Sequence, residues 1–262
     1  MIPLHWHTEP LLLIGLLTLG WLYFLAIGPG RKILAPNNPW PIKHAVCFSL
    51  SLICGYLAVG SPLDQLGEQF LFSAHMVQHV LLIYVVPLFA YWGLPSWLLD
   101  AAFRYHQVKR IFAFLTHPLI SGILFTLVFS LWHVPSWYVA ALQSKTIHVV
   151  EHLTLLVSAI LMWYNFLSAS ELLPKRAFGT QIIFIFALMV GQMPLFGILT
   201  FSTEVLYLPY SYAPRLAFFD ISPLNDQILG GVVMKIANMI ISIAFIGLAF
   251  FHWQKESEAP EV

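Results

Sequence analysis

Two pairs of histidines, each spaced four residues apart, lie inside apolar stretches of the sequence. His75 and His79 form one pair, and His148 and His152 form the other. On a helix, residues i and i+4 lie on one face, about 6 Å apart along the axis. Ionisable groups in membrane spans usually face the interior of the bundle, and facing imidazoles are typical metal ligands. The spacing therefore predicts a metal site between helices.

Several nearby residues are candidates to complete this site. A fifth histidine, His133, lies at the end of another apolar stretch. Thioethers favour Cu(I), and a carboxylate can orient a histidine ligand by accepting its second ring N–H. The further candidate ligands or supporting residues are Met76, Met234, Glu151, Asp226 and Gln78. We expect the metal to be copper, as Cu(I), with zinc or haem as the alternatives.

The composition indicates which elements position these residues. Of the 262 residues, 59% are hydrophobic and 9% are charged, whereas soluble domains have about 25% charged residues. The chain is therefore expected to face membrane lipid, and its zero net charge argues against nucleic acid as a partner. We predict one integral membrane domain over residues 1–262, an all-α bundle of seven transmembrane helices. The approximate spans are 10–28, 44–61, 70–92, 114–134, 147–167, 178–201 and 227–251.

Basic residues set the predicted orientation of this bundle. Nine of them follow spans one, three, five and seven: Arg31, Lys32, Lys43, Arg104, Lys109, Arg110, Lys175, Arg176 and Lys255. The positive-inside rule then places the N-terminus outside and the C-terminus in the cytoplasm. In this orientation the five histidines reach a similar depth, near the extracytoplasmic side. The polar tail over residues 255–262 is predicted to be disordered.

Local patterns add three packing predictions. Pro118 favours a start of the fourth span slightly after residue 114. The loop from Tyr207 to Pro223, rich in Tyr and Pro, is expected to pack over one end of the bundle. The pair Gly230 and Gly231 would let another helix approach the seventh span closely.

Four motifs in this order resemble the CtaG-type assembly factors of cytochrome c oxidase, a family described for caa3-type oxidases. They are His75-Met76-Val77-Gln78-His79, Trp132-His133-Val134-Pro135 followed by Tyr138, His148-x-x-Glu151-His152, and Asp226-Gln227-x-x-Gly230-Gly231-x-x-Met234. Lys235 departs from the aromatic or apolar residue expected at its position. The resemblance implies a multi-pass protein of the bacterial plasma membrane that matures the oxidase by handling copper. An oxidase subunit or an extracytoplasmic copper donor is the implied partner.

The preferred function is thus a copper-binding assembly factor with no catalytic activity, and three alternatives remain. The motif His148-x-x-Glu151-His152 also matches an inverted zinc-protease motif, in which Glu151 would be the general base. Histidines are also axial ligands of haem in membrane electron carriers. Pro87 and Pro194 would break spans three and six in a copper or small-solute transporter.

Overall fold

The computed structural model describes residues 5–216 and 219–258. It is all-helical, with 79% of residues in helices, and the described part of the chain contains no strand, only an isolated bridge between Leu216 and Phe219. The α-helices are α1 Pro10–Ile27, α2 Arg31–Leu34, α3 Ile42–Val59, α4 Pro62–Gln69, α5 Phe72–Val80, α6 Val86–Trp92, α7 Ser96–Phe103, α8 His106–Leu115, α9 Pro118–Trp132, α10 Pro135–Gln143, α11 Lys145–Leu167, α12 Phe178–Phe201 and α13 Pro223–Glu258. A π-helical turn, Leu81–Val85, joins α5 to α6, and a 3₁₀ turn spans Leu208–Ser211.

Six helical segments are long and apolar enough to cross a membrane, so the protein is a multi-pass membrane protein. They are Pro10–Leu34, Ile42–Gln69, Phe72–Trp92, Lys145–Leu167, Phe178–Phe201 and Pro223–Glu258. The bundle exposes apolar side chains, and its interior combines a hydrophobic core with buried polar side chains. Leu11 and Ile183 are more than 70% exposed, whereas Gln192 is fully buried. This pattern suits a lipid solvent, because buried polar groups can satisfy one another between helices.

The fourth predicted span, 114–134, begins too early. The helix starts at Pro118, where the missing N–H of proline costs no hydrogen bond, and this confirms the later start. The residues before it belong to α8, which is bent by 60° from α9. The pair α8 and α9 counts as a seventh candidate span only if the two are taken together.

Helix α9 runs antiparallel to α11. Asn165 in the last turn of α11 donates a hydrogen bond to Ser121 in the first turn of α9, at 3.2 Å. At the other end of α9, the Trp132 indole donates to the Thr154 hydroxyl at 2.8 Å. These two contacts fix the direction of α9 along the bundle.

The third span is interrupted by the π-helical turn directly after the first histidine pair. Pro87 has no N–H to donate to the carbonyl of Ile83, four residues earlier. The Trp163 indole of α11 donates to that carbonyl instead, at 2.7 Å. The irregular turn is therefore stabilised by the helix that carries the second histidine pair.

Helix α13 differs from the prediction at its end and agrees with it at its glycine pair. It continues through Glu258, so the prediction of a disordered tail is wrong for residues 255–258, and residues 259–262 lie outside the described residues. A Cβ at Gly230 would overlap the Phe72 ring of α5, and one at Gly231 would lie 3.0 Å from Leu199 of α12. The close approach predicted for this pair is confirmed.

Candidate metal centre

The five predicted histidines converge at one end of the bundle. Helix α5 carries His75 and His79, α11 carries His148 and His152, and His133 directly follows α9. All five are buried. Their rings pack against one another, with centroids of neighbouring rings 4.2–5.5 Å apart. The structure thus brings together side chains that are up to 77 residues apart in the sequence (152 minus 75).

Four side chains offer ligand atoms within 4.8 Å of one another: His75, His148, Glu151 and His152. The Nε2 atom of His79 joins them, at 3.0 Å from Nε2 of His75. Two nitrogen ligands of one tetrahedral metal ion lie about 3–3.5 Å apart, given metal–nitrogen bonds of roughly 2.0 Å. The Nε2 atoms of His75 and His79 are therefore as close as neighbouring metal ligands, and the ligand atoms of the four-residue set lie within 4.8 Å of one another.

Glu151 is the most unusual member of the group. Its side chain is fully buried, and neither carboxylate oxygen has a hydrogen-bond partner within the described part of the chain. Oε2 lies 3.7 Å from Nε2 of His75, and Oε1 lies 3.5 Å from Nε2 of His79. Burying an isolated carboxylate costs much free energy unless a cation or hydrogen bonds compensate it. This site therefore fits a metal cation.

The ring of His133 is oriented from outside the cluster. Its Nδ1 lies 2.6 Å from the carbonyl oxygen of Phe129, which can only accept, so Nδ1 carries the proton. The other ring nitrogen, Nε2, lies 3.4 Å from Sδ of Met76. The structure thus places Met76, a predicted candidate, directly beside a histidine of the cluster.

Glu68 of α4 belongs to the site and was missed by the sequence prediction. Its Oε1 lies 2.5 Å from Nδ1 of His148, whose Nε2 is buried without a partner among the described residues. A carboxylate that accepts the N–H of a histidine in this way fixes the tautomer of a metal ligand. The available signal was the i, i+4 spacing of Asp64 and Glu68 just before the first histidine pair.

A partly exposed group of side chains lies at the mouth of the cluster. The ligand atoms of Asp64, Glu68 and His148 lie within 4.8 Å of one another, and Nε2 of His7 lies 3.3 Å from Oδ2 of Asp64. Burial and the neighbouring His5 lower the pKa of His7, so its ring is neutral at pH 7. This group extends the set of donor atoms from the buried histidines to the partly exposed side chains of Glu68 and His7.

Asp226 does not have its predicted role as a metal ligand or as a partner of a histidine. Its Oδ2 accepts from the backbone N–H of Phe72 at 2.6 Å, and its Oδ1 accepts from the backbone N–H and the hydroxyl of Ser73. Both oxygens therefore cap the N-terminus of α5. Asp226 acts on the site indirectly, because it fixes the helix that carries His75 and His79.

Gln78 and Met234 also have packing roles in the structure. The side-chain amide of Gln78 donates to the Ala58 carbonyl at 2.8 Å and to Asp64 at 2.6 Å, so it ties α5 to α3 and α4. Met234 is a buried member of the hydrophobic core that also contains Met76. The direct contact between a thioether and a histidine is made by Met76.

Three tyrosines cover the cluster. Tyr207 donates to the carbonyl of His133 at 2.8 Å, and Tyr210 donates to the carbonyl of Gly67 at 2.7 Å. The hydroxyls of Tyr138 and Tyr210 lie 2.7 Å apart, and the Tyr138 ring lies 5.0 Å from the ring of His75. The predicted packing of the loop over one end of the bundle is confirmed. Tyr138, Tyr207 and Tyr210 are themselves buried and pack beside the cluster.

The packing of the cluster argues against two of the alternative functions, a haem-binding carrier and a zinc protease. A porphyrin needs a flat slot between its axial ligands, but the histidine rings pack directly on one another. A protease needs its general base beside an accessible peptide, but Glu151 is fully buried. Binding of a bare metal ion requires neither a slot nor a cleft.

These features define a multi-pass helical membrane protein with a buried candidate metal centre at one end of its bundle. Residues 21–256 match the model of the cytochrome c oxidase caa3 assembly factor family, Caa3_CtaG, and the chain belongs to this family. The matched region contains all five histidines and Glu151. No curated protein matches the chain, and no solved structure matches it.

Proposed function

We propose that this protein binds copper in its buried histidine cluster and delivers it during maturation of a cytochrome c oxidase. The family assigns the chain to assembly of the oxidase, and the donor set supplies the chemistry. Neutral imidazoles suit copper, and the thioether of Met76 beside His133 favours Cu(I). The step is ligand exchange, so the protein acts as a carrier and not as an enzyme.

The observation that carries this proposal is the carboxylate of Glu151, which is buried among imidazoles and has no hydrogen-bond partner in the described part of the chain. A protein that needed these groups only for packing would satisfy them with hydrogen bonds. One Cu(I) ion would neutralise Glu151 and use the Nε2 lone pairs that face it. The partner is then an oxidase subunit or an extracytoplasmic copper donor that takes up or supplies the ion.

The proposed membrane is the bacterial plasma membrane, with the cluster near its extracytoplasmic face. The nine basic residues in the segments after spans one, three, five and seven favour this orientation. The group formed by Asp64, Glu68 and His7 would then face the compartment from which copper arrives. Acidic and imidazole side chains at that mouth attract cations.

Metal analysis of the purified protein tests the proposal. After anaerobic loading with Cu(I) and removal of excess metal, we expect stoichiometric copper in the wild type. The double variant His75→Ala/His79→Ala should retain less than about a tenth of it, because the variant loses two ligands. In a bacterium that lacks its own family member, the same variant should fail to restore oxidase activity.

A matched control replaces two exposed histidines outside the cluster, His106→Ala and His252→Ala. This control should bind copper like the wild type and restore oxidase activity. Equal copper in both double variants would contradict the proposal. An absorption spectrum of the same samples tests haem through its Soret band, and peptide cleavage lost in Glu151→Gln would instead support the zinc protease.

A further inference from the structure

The buried cluster holds more donor groups than one metal ion uses. A zinc site in a protein takes about four ligands, and His75, His148, Glu151 and His152 already supply four within 4.8 Å. His79, His133 and Met76 are then left over, although all three are buried. Nε2 of His79 lies 3.0 Å from Nε2 of His75, whereas Nδ1 of His79 has no hydrogen-bond partner in the described part of the chain. Buried polar atoms of this kind are costly unless a partner compensates them.

The left-over side chains face one another. In the neutral ring of His133, Nε2 carries a lone pair that points at Sδ of Met76, 3.4 Å away, with no proton between the two atoms. The ring centroid of His79 lies 5.3 Å from that of His133. Two imidazoles and a thioether thus lie close together. A soft cation between His133 and Met76 would use two lone pairs that otherwise oppose each other.

Glu151 lies between the two sets of donors. Its Oε2 is directed to His75, at 3.7 Å, and its Oε1 is directed to His79, at 3.5 Å. A carboxylate can give one oxygen to each of two neighbouring metal ions. The geometry of Glu151 is therefore that of a bridge between two positions.

We infer that the cluster binds two metal ions, which rests on the proposed function. The carboxylate position consists of His75, His148, His152 and one oxygen of Glu151. The thioether position consists of His79, His133, Met76 and the other oxygen of Glu151. The first set suits zinc or copper, whereas the thioether makes the second selective for Cu(I).

The charges of the site agree with two Cu(I) ions. Two monovalent ions bring two positive charges into a buried region. Two carboxylates pair directly with histidines of the cluster and supply two negative charges, Glu151 and Glu68. Asp64 contacts Gln78 and His7 instead. Two divalent ions would leave two uncompensated charges in the same place, which is costly in a region of low dielectric constant.

Metal counting with two probes tests this inference. Purified protein in detergent is loaded anaerobically with Cu(I) under chelator competition, and separately with Zn(II). We expect two Cu(I) but one Zn(II) per wild-type protein. Met76→Leu should hold one Cu(I) and still one Zn(II), and the retained zinc shows that the variant is folded. Met234→Leu is the matched control, since Met234 is equally buried in the same core, and it should hold two Cu(I).

X-ray absorption of the wild type gives a reading that does not depend on folding of a variant. The spectrum of the Cu(I)-loaded protein should show a sulfur atom among the nearest neighbours of copper. The spectrum of the zinc-loaded protein should show no sulfur neighbour. A wild type that saturates at one Cu(I), or Met76→Leu that still holds two, would overturn the two-position inference and leave the proposed function intact. A wild type that binds no Cu(I) would overturn the proposed function itself.

Discussion

Two of the five histidines are oriented by groups that lie outside the cluster. His133 donates Nδ1–H to the carbonyl of Phe129, and Nδ1 of His148 lies 2.5 Å from Glu68. Each ring therefore turns its Nε2 towards the other donors before a metal ion arrives. This preorganisation lowers the free energy needed to arrange the ligands on binding.

The contact between Glu68 and His148 gives a prediction at the scale of one residue. Glu68→Gln keeps an oxygen acceptor but removes its charge, so the imidazole becomes a poorer ligand. We expect the affinity for Cu(I) to fall by about 10- to 100-fold, measured by competition with a Cu(I) chelator. Glu204→Gln changes an exposed carboxylate and should leave the affinity unchanged. An affinity equal to that of the wild type in Glu68→Gln would show that Glu68 does not orient the ligand.

The sequence predicts the candidate metal ligands better than it predicts the residues that orient them. The histidine pairs stand out because imidazoles at helical spacing in an apolar stretch are costly. Glu68 was missed since its role depends on how α4 folds back on α11, which no local pattern indicates. Asp226 was predicted near the site but with the wrong role, because its polar character alone does not distinguish a helix cap from a metal ligand.

At the scale of the element, the N-terminus of α5 depends on Asp226. Both of its oxygens accept hydrogen bonds from Phe72 and Ser73. Asp226→Asn should lower the free energy of unfolding by about 1–2 kcal/mol, since a charged cap is lost. The midpoint of thermal unfolding measures this effect, and Asp220→Asn, an exposed position, is the control. The variant should keep its copper stoichiometry. Loss of copper without a change in stability would show that Asp226 is a metal ligand.

The contact between α13 and α5 requires a residue without a side chain at Gly230. A Cβ at Gly230 would overlap the Phe72 ring and lie 3.0 Å from Cγ of Met76. Gly230→Ala should therefore destabilise the bundle by about 1–3 kcal/mol through overpacking. Gly247→Ala in the same helix meets nothing within 4 Å and should not be destabilised. Similar unfolding midpoints for the two variants would show that α13 can move away from α5 at little cost.

The element boundaries show where the hydrophobic pattern stops being informative. Long apolar runs predicted α1, α11 and α12 to within a few residues. The break between α8 and α9 was only partly predicted, since Pro118 fixes the start of a helix but not its angle to the preceding one. The helical end of α13 was missed because polar composition alone does not distinguish a solvent-exposed helix from a disordered tail.

At the scale of the whole molecule, α9 runs along most of the bundle. It begins beside Asn165 of α11 and ends beside Thr154 of the same helix, where His133 packs against His79. The 15 residues of α9 extend about 22 Å along the helix axis. This length is shorter than the roughly 30 Å of a bilayer core. The prediction of seven spans therefore requires that this helix of 15 residues crosses the membrane, alone or together with α8.

The number of spans fixes whether the termini lie on one side or on opposite sides. With seven spans and the predicted orientation, Thr8 lies outside, and Asn37 and Ser257 lie in the cytoplasm. In a background with Cys47 and Cys54 replaced by serine, spheroplasts carrying Thr8→Cys or Gln143→Cys should react with a membrane-impermeant maleimide. Asn37→Cys and Ser257→Cys should react only after permeabilisation. All four positions are exposed, so access depends on sidedness alone. Reaction of Thr8→Cys and Ser257→Cys under the same condition would mean an even number of spans, and α9 would then not cross the membrane.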